Sequence, residues 1–215
     1  FAAFISRWFY AKLDIDYLGL RPIIDKRHIG IFFPFVSFFL IIAITNAINI
    51  VDGLDGLSGG LMSFVLIGLG GFAFFTQHYI MTTLVAVVLS VLFVFMFFNI
   101  FPAKIFMGDS GALGLGGFLG VLLLMLNMQI GIIIPFTVLF FLFILDTFTS
   151  STQILSKKFL KKKLYPIAPF HHYLEHKGMH ETTIVMKAWF VQLILLTIFI
   201  VLMSLQIFSS GFILS

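Results

Sequence analysis

Long apolar stretches separated by short polar segments make up most of this chain. Six of them approach or exceed the roughly 20 residues that a helix needs to cross about 30 Å of hydrocarbon. They cover residues 29–50, 61–76, 79–98, 112–126, 130–151 and 183–208. Runs such as residues 85–98 do not alternate apolar and polar positions as the strands of a transmembrane barrel do. The pattern predicts an all-α, polytopic transmembrane helical bundle with about six full spans.

The first ten residues have the character of the tail of an apolar helix, not of the charged start of a signal peptide. We therefore expect a partial helix at the N-terminal end and further helices upstream of this sequence. There is no internal repeat and no stretch with the composition of a soluble domain. Residues 1–215 are predicted to form a single integral membrane domain, the C-terminal portion of a larger protein.

Composition strengthens the membrane interpretation. Hydrophobic residues make up 60% of the chain and charged residues 10%, whereas soluble domains carry about 25% charged residues. The formal net charge is +4, which suits contact with anionic lipid head groups or phosphorylated substrates. The absence of cysteine excludes a disulfide framework and a thiolate metal site.

Lysines are concentrated in the long loop of residues 156–181, which carries six of them. The positive-inside rule places such a loop in the cytoplasm. Counting spans backward puts the polar segments 52–60 and 99–109 on the same side. The segment 14–28 weighs against this orientation, because it falls outside and holds three basic residues, although three aspartates offset them in part. We predict that the polar chemistry converges on the cytoplasmic face.

The first polar cluster closes the first full span. Asn46, Asn49 and Asp52 recur every three residues and so lie on neighbouring parts of one helical face, and Asp55 follows among glycines. Polar groups are costly in a bilayer, so this density favours a functional site over a solvated helix end.

The second cluster lies where one span ends and the next begins. It contains Asn99, Lys104, Phe106 and Asp109. Asp109 lies at a predicted helix N-terminus beside glycine, where a carboxylate can bind Mg²⁺ together with substrate oxygens. A plain N-cap is the alternative for this aspartate. The Phe106 ring is placed near the membrane surface, where it can stack on a nucleobase.

The third cluster belongs to the lysine-rich loop. His171 and His172 can hold phosphate oxygens or relay a proton near neutral pH, and a solvated loop is an equal alternative. Zinc bound by His176 and His180 is less favoured, because no third ligand is evident. Asp146 lies inside the fifth span, where both a functional and a structural role remain open.

The segments NAINIVDGLDGLSGG, NIFPAKIFMGDSGALGLGG and APFHHYLEHKG occur in that order. Together they resemble the polyprenyl-phosphate N-acetylhexosamine-1-phosphate transferase superfamily, over about residues 30–208. The last segment is similar to the phospho-N-acetylmuramoyl-pentapeptide transferase branch. Two positions depart from the pattern of that branch, since Tyr173 replaces its third histidine and Met179 its tryptophan.

The resemblance implies a role for each cluster. Asp109 is expected to ligate Mg²⁺, Asp52 and Asp55 with Asn49 and Asn99 to shape the nucleotide-sugar site, and Phe106 to face the uracil. His171 and His172 are expected on the sugar-phosphate side, and Asn46 and Lys104 join the substrate-binding set. The family's paired aspartates are missing here. Asp14 and Asp16 do not replace them, because Ile15 separates them and they fall on the opposite membrane face, so these 215 residues are expected to be incomplete as a catalyst.

The expected activity is Mg²⁺-dependent transfer of phospho-N-acetylmuramoyl-pentapeptide from its UDP form to undecaprenyl phosphate, with release of UMP, in a bacterial cytoplasmic membrane. Alternatives are the same chemistry with UDP-N-acetylglucosamine, an inactive membrane remnant, and a transporter using Asp146. A transporter should place its polar groups at mid-membrane, whereas these clusters lie at span ends. Membrane lipid is an expected partner, nucleic acid is not, and a homodimer is left open.

Overall fold

The computed structural model describes residues 1–12, 17–20, 24–28, 30–130 and 132–209. The helices are α1 (Ala2–Lys12), α2 (Phe33–Val51), α3 (Leu57–Phe75), α4 (Tyr79–Asn99), α5 (Gly108–Ile130), α6 (Ile133–Leu139), α7 (Phe141–Leu155), α8 (Phe170–His176) and α9 (Glu181–Ser209). A 3₁₀ turn (Gly30–Phe32) precedes α2, and a π-helical turn (Ser156–Leu160) extends α7. The predicted all-α, polytopic fold is confirmed.

Five of these helices are long and apolar enough to cross a membrane, namely the one that starts at the 3₁₀ turn and continues through α2, together with α3, α4, α5 and α9. They match five of the six predicted spans to within a few residues. The remaining one is the fifth in chain order, predicted over residues 130–151. It consists of α6 and α7, with a bend of 78° between them. The predicted span is therefore present as a bent pair of helices and not as one continuous helix.

The break between α6 and α7 lies at Phe140 and is supported by a neighbouring helix. Gln192 of α9 is buried, and its Nε2 donates a hydrogen bond to the Leu139 carbonyl at 2.8 Å. A backbone carbonyl freed by a bend in an apolar environment must find a partner, and the glutamine supplies it. The bend is therefore a stable feature of the packing.

The helix α3 forms the centre of the bundle, because 78% of its membrane-spanning window is buried, against 17% for α4 and 28% for α9. Met62, Val65, Leu66 and Leu69 of α3 are fully buried in the main core. The outer faces of α4 and α9 expose aliphatic and aromatic side chains, which is suited to contact with lipid tails.

Small residues allow α2 and α5 to approach each other closely. A Cβ on Gly116 would lie 2.5 Å from Cα of Thr45, and one on Gly120 would lie 3.3 Å from Cα of Ile41. Helices pack in membranes through such small residues four positions apart, because no hydrophobic effect drives them together. This contact brings the C-terminal end of α2 beside the N-terminal end of α5.

A short antiparallel hairpin joins α1 to the rest of the protein. It consists of β1 (Tyr17–Leu20) and β2 (Ile24–His28), with Tyr17 paired to His28 and Leu20 to Ile24. The sequence analysis did not predict it. Asp14 and Asp16 lie outside the described residues, as does the predicted first residue of the span at position 29.

Candidate active site

Polar side chains at and beside the two segments that join α2 to α3 and α4 to α5 meet at one end of the helices. A cavity of about 260 Å³ lies between the loop that joins α2 to α3 and the segment that joins α4 to α5. It is lined by Asn49, Asp52, Gly53, Leu54, Asp55, Asn99, Phe106, Gly108 and Asp109. The predicted convergence of the first two polar clusters is confirmed, while the roles of the individual residues stay predictions.

A direct hydrogen bond links the two sides of this cavity. The amide of Asn49, near the end of α2, donates from Nδ2 to Oδ1 of Asp109 at 2.9 Å. Asp109 lies in the first turn of α5, where the unpaired backbone N–H groups favour negative charge. Since α5 begins at Gly108, Asp109 is the second residue of the helix and its side chain points to a neighbouring helix through Asn49.

The loop of residues 52–56 is fixed by the α4–α5 segment. Oδ2 of Asp55 accepts the backbone N–H of Ala103 at 2.9 Å. Asn99 is buried and bridges two segments, since its Oδ1 accepts the Gly56 N–H at 3.1 Å and its Nδ2 donates to the Ile105 carbonyl at 2.9 Å. Asn99 and Asp55 therefore hold the backbone of the cavity in place.

The helix α9 holds the same loop from the other side. Oε1 of Glu181 accepts the Asp55 N–H at 2.6 Å, and Nε1 of Trp189 donates to the Gly56 carbonyl at 3.2 Å. Gly56 has a φ of +78°, a conformation that favours glycine. Gly60 leaves room for the indole, because a Cβ there would overlap Nε1 of Trp189.

The third cluster packs against the loop after α2 through His171. Its imidazole is buried, and its Nδ1 lies 2.8 Å from Oδ2 of Asp146, whose Oδ1 accepts the His171 backbone N–H at 3.2 Å. A carboxylate only accepts hydrogen bonds, so this contact places the ring hydrogen on Nδ1. Nε2 has no hydrogen-bond partner among the described residues, and a Cβ built on Gly53 would lie 2.6 Å from it.

Four further predicted residues lie at the open edge of the 260 Å³ cavity or outside it. His172 pairs through Nδ1 with Glu175 and is partly exposed, and the Phe106 ring is 74% exposed. Lys104 is exposed and does not line the cavity. Asn46 instead lines a separate, largely apolar cavity of about 580 Å³ between α2 and α5. The structure therefore does not bring Asn46 and Lys104 into the 260 Å³ cavity.

Acidic oxygens dominate the chemistry of the cavity. Partial burial without an ion pair raises the pKa of the Asp52 carboxyl above its usual range. The described residues contain no group of three or more His, Cys, Asp or Glu side chains that could hold a metal ion. Mg²⁺ needs only one or two protein carboxylates when substrate phosphates and water complete its shell. Asp109, aligned by Asn49, fits that requirement.

Two contributors to this site were not predicted from the sequence, and the role of a third was left open. Glu181 and Trp189 were not singled out, and Asp146 was left without an assigned role. Glu181 begins α9 and Trp189 lies further along it, and this helix was predicted only as an apolar span. Both residues contact the loop 52–56, which is far from them in the sequence. For Asp146, an ionisable residue within an apolar run was the available signal.

Comparisons with known proteins agree with the geometry. A family model described as glycosyl transferase family 4 matches residues 1–127, more than half of the chain. A phospho-N-acetylmuramoyl-pentapeptide-transferase from Buchnera aphidicola subsp. Acyrthosiphon pisum (strain Tuc7) is 35% identical, over 79% of this chain and 51% of its own length. A protein of the same name from Clostridium kluyveri is 34% identical, over 86% of this chain and 59% of its own length. Another from Dictyoglomus thermophilum is 35% identical, over 84% of this chain and 56% of its own length. The chain spans about half the length of the curated relatives it matches.

Proposed function

Because this chain belongs to glycosyl transferase family 4, we propose that it is part of an enzyme that transfers phospho-N-acetylmuramoyl-pentapeptide from its UDP-activated form to undecaprenyl phosphate, with release of UMP. The observation that carries this proposal is a polar cavity at the end of apolar, membrane-compatible helices, where Asp52, Asp55 and Asp109 meet Phe106. The name of the relatives favours the muramoyl donor over UDP-N-acetylglucosamine.

The donor is proposed to bind across the cavity. The exposed Phe106 ring offers a face on which the uracil can stack. Asn49 and Asn99 line the same space, and Asn99 also keeps the loop backbone fixed. Lys104 and Asn46 lie outside the 260 Å³ cavity and are proposed to contact the outer parts of the two substrates.

The reaction is phosphoryl transfer between two anions. An oxygen of the lipid phosphate attacks the sugar-bearing phosphorus, a new P–O bond forms, and the bond to UMP breaks, with UMP carrying away the bridging oxygen. The lipid phosphate is already ionised near neutral pH, so little deprotonation is needed. Positioning and electrostatic stabilisation are expected to supply most of the rate.

The chain's own residues provide that positioning. Asp109 is held by Asn49. Asp52 and Asp55 lie in a loop that α4, the segment between α4 and α5, and α9 fix by hydrogen bonds. Mg²⁺, for which Asp109 is the proposed ligand, supplies charge neutralisation on the diphosphate when bound. His171 presents Nε2 beside the loop at Gly53, and the partly exposed His172 is available to the sugar phosphate.

The proposed location is the cytoplasmic face of a bacterial inner membrane. Asp146 of α7 contacts His171, which packs against the loop after α2, so this part of α7 lies at the same end of the bundle as the cavity. The exposed lysines that follow α7 favour the cytoplasmic side for that end.

Replacing Asp109 by asparagine in the full-length protein tests the metal assignment. Asparagine retains an oxygen that can accept from Asn49, so the local structure should persist while the charge is lost. We expect UMP release to fall by at least about 100-fold, the lower range for loss of an electrostatic catalytic group. Ser110→Ala, at the next exposed position, is the matched control and should retain activity. Near-normal turnover of Asp109→Asn, with normal membrane insertion, would remove the metal assignment.

A further inference from the structure

Five lysines project from the turn that follows α7. The helix continues into the π-helical turn, and the backbone then reverses at Lys161, whose φ is +55°. All five side chains are exposed, and they are Lys157, Lys158, Lys161, Lys162 and Lys163. We call residues 156–164 the lysine tip.

The lysine tip is held in a defined conformation by two buried side chains of α7 and its extension. Oε1 of Gln153 accepts the backbone N–H groups of Leu164 and Tyr165, each at 3.0 Å, and its Nε2 donates to the Tyr165 carbonyl at 2.8 Å. Ser156 donates from Oγ to the Lys162 carbonyl at 2.7 Å. Four hydrogen bonds from buried groups therefore fix the backbone that carries the lysines.

The charge of the lysine tip is not balanced by a carboxylate among the side chains that the structure describes. Residues 156–167 contain no Asp or Glu, and in the part of the chain that the structure describes none of the five lysines forms an ion pair. The two nearest carboxylates in the sequence, Asp146 and Glu175, are each paired with a histidine. Five uncompensated ammonium groups in seven positions make a strong local positive potential.

Apolar side chains are exposed among these lysines. Phe159, Leu160 and Leu164 are 70%, 67% and 55% exposed, and the ammonium group of Lys158 lies 5.7 Å from the centre of the Phe159 ring. A purely solvated basic face would not expose large apolar groups. Ammonium groups beside aliphatic and aromatic side chains suit the boundary between lipid head groups and acyl chains, where lysine stems extend toward the charged layer.

We infer that the lysine tip docks on anionic phospholipid head groups of the bilayer, with its apolar side chains inserted at the acyl boundary. Charge complementarity and the end of a membrane-compatible helix pair both favour this occupant. A soluble phosphate ligand would not require the exposed apolar groups. The inference does not depend on the proposed activity.

Docking of the lysine tip would also steady the candidate site. Only seven residues separate Lys163 from His171, and both ends of that segment are tied to α7, one by Gln153 and the other by Asp146. Lipid contact at the tip therefore limits the motion of the segment that carries His171.

The test uses the full-length protein in lipid nanodiscs with a fluorophore on Leu160→Cys as the single cysteine. Quenching by brominated phosphatidylglycerol is compared with quenching by brominated phosphatidylcholine at equal mole fraction. At low salt we expect quenching by the anionic lipid to be about fivefold stronger than quenching by phosphatidylcholine, which is the effect of one lysine near an anionic surface. At high salt the quenching ratio should be smaller, because salt screens the charges.

Two matched variants separate charge from fold. Replacing all five lysines by glutamine should bring the quenching ratio close to one, whereas replacing all five by arginine should preserve the ratio. Equal quenching by both lipids in the unsubstituted tip, or an unchanged ratio in the glutamine variant, would overturn the inference. A response of the probe to inorganic phosphate in a neutral bilayer, equal to its response to anionic lipid, would assign the tip to soluble phosphate and overturn it as well.

Discussion

Replacing Asp146 by asparagine should change the hydrogen-bond pattern of His171 while leaving its packing nearly intact. The carboxylate accepts two hydrogen bonds from His171, one from the backbone and one from Nδ1. Asparagine offers one oxygen and one NH₂ group. When the oxygen keeps the backbone N–H, the NH₂ faces Nδ1, which must then accept, and the ring hydrogen moves to Nε2. The atom that lies beside Gly53 then becomes a donor.

The structure gives different stability losses for two substitutions of Asp146. Alanine leaves two buried donors of His171 without a partner, each costing about 1–3 kcal/mol, so the free energy of unfolding should fall by about 2–6 kcal/mol. Asparagine keeps both groups bonded and exchanges a charged partner for a neutral one, which costs about 1 kcal/mol. Thermal unfolding in detergent should therefore rank the original protein first, asparagine close behind and alanine well below.

Activity should follow a different order. The asparagine variant is expected to lose activity by about 10- to 100-fold despite its near-normal stability, comparable with the loss on removing a carboxylate that orients a metal-bound histidine. Nitrogen-15 NMR of labelled histidine reports which ring nitrogen carries hydrogen. Full activity of the asparagine variant with the hydrogen moved to Nε2 would refute the orienting role of Asp146. A ring hydrogen that stays on Nδ1 would refute the predicted pattern itself.

Two further substitutions probe the loop around the cavity. Gly60→Ala should lower the free energy of unfolding by at least about 1–3 kcal/mol, because the added methyl group would overlap the Trp189 indole. Gly71→Ala, on the same helix and with open space around it, is the control, and equal thermal stability of the two variants would contradict the assignment. Asp52→Asn should raise stability near neutral pH, since burial raises the pKa of this carboxyl and disfavours its charged form. With respect to Asp52, the protein is most stable at low pH, where this carboxyl is protonated, and it loses that stability as pH rises through the pKa of the folded state. The stability gained by Asp52→Asn, measured by melting at several pH values, should therefore vanish in acid. A gain that does not depend on pH would argue against desolvation of Asp52.

Much of the fold follows from the lengths of the apolar runs. The spans that become α2, α3, α4, α5 and α9 are each long enough to be recognised from composition alone. The bend between α6 and α7 is different, because residues 130–151 form one apolar run. The hydrogen bond from Gln192 to the Leu139 carbonyl joins residues 53 positions apart, so local sequence carries no sign of it.

The candidate site was predictable where its residues cluster along the chain. Asp52, Asp55, Asn99 and Asp109 lie at span ends, and alternation of helix direction brings those ends together. Asn46, one turn before Asn49 on α2, lines a neighbouring apolar cavity, and its substrate-binding role stays a prediction.

The supporting contacts of the site could not be predicted from spacing. Asp146 and His171 are 25 positions apart, and Asp55 and Glu181 are 126 positions apart. Each of these pairs depends on how α7 and α9 pack against the loop after α2. Partners of this kind emerge only from tertiary packing, even when one member stands out as an ionisable residue in an apolar run.

The most direct test of the central proposal measures UMP release and lipid labelling by the full-length protein in membranes. Undecaprenyl phosphate and Mg²⁺ are supplied with either UDP-N-acetylmuramoyl-pentapeptide or UDP-N-acetylglucosamine. The account predicts Mg²⁺-dependent labelling from the muramoyl donor that is lost in Asp109→Asn. Labelling from N-acetylglucosamine alone, or from neither donor with the protein correctly inserted, would contradict it.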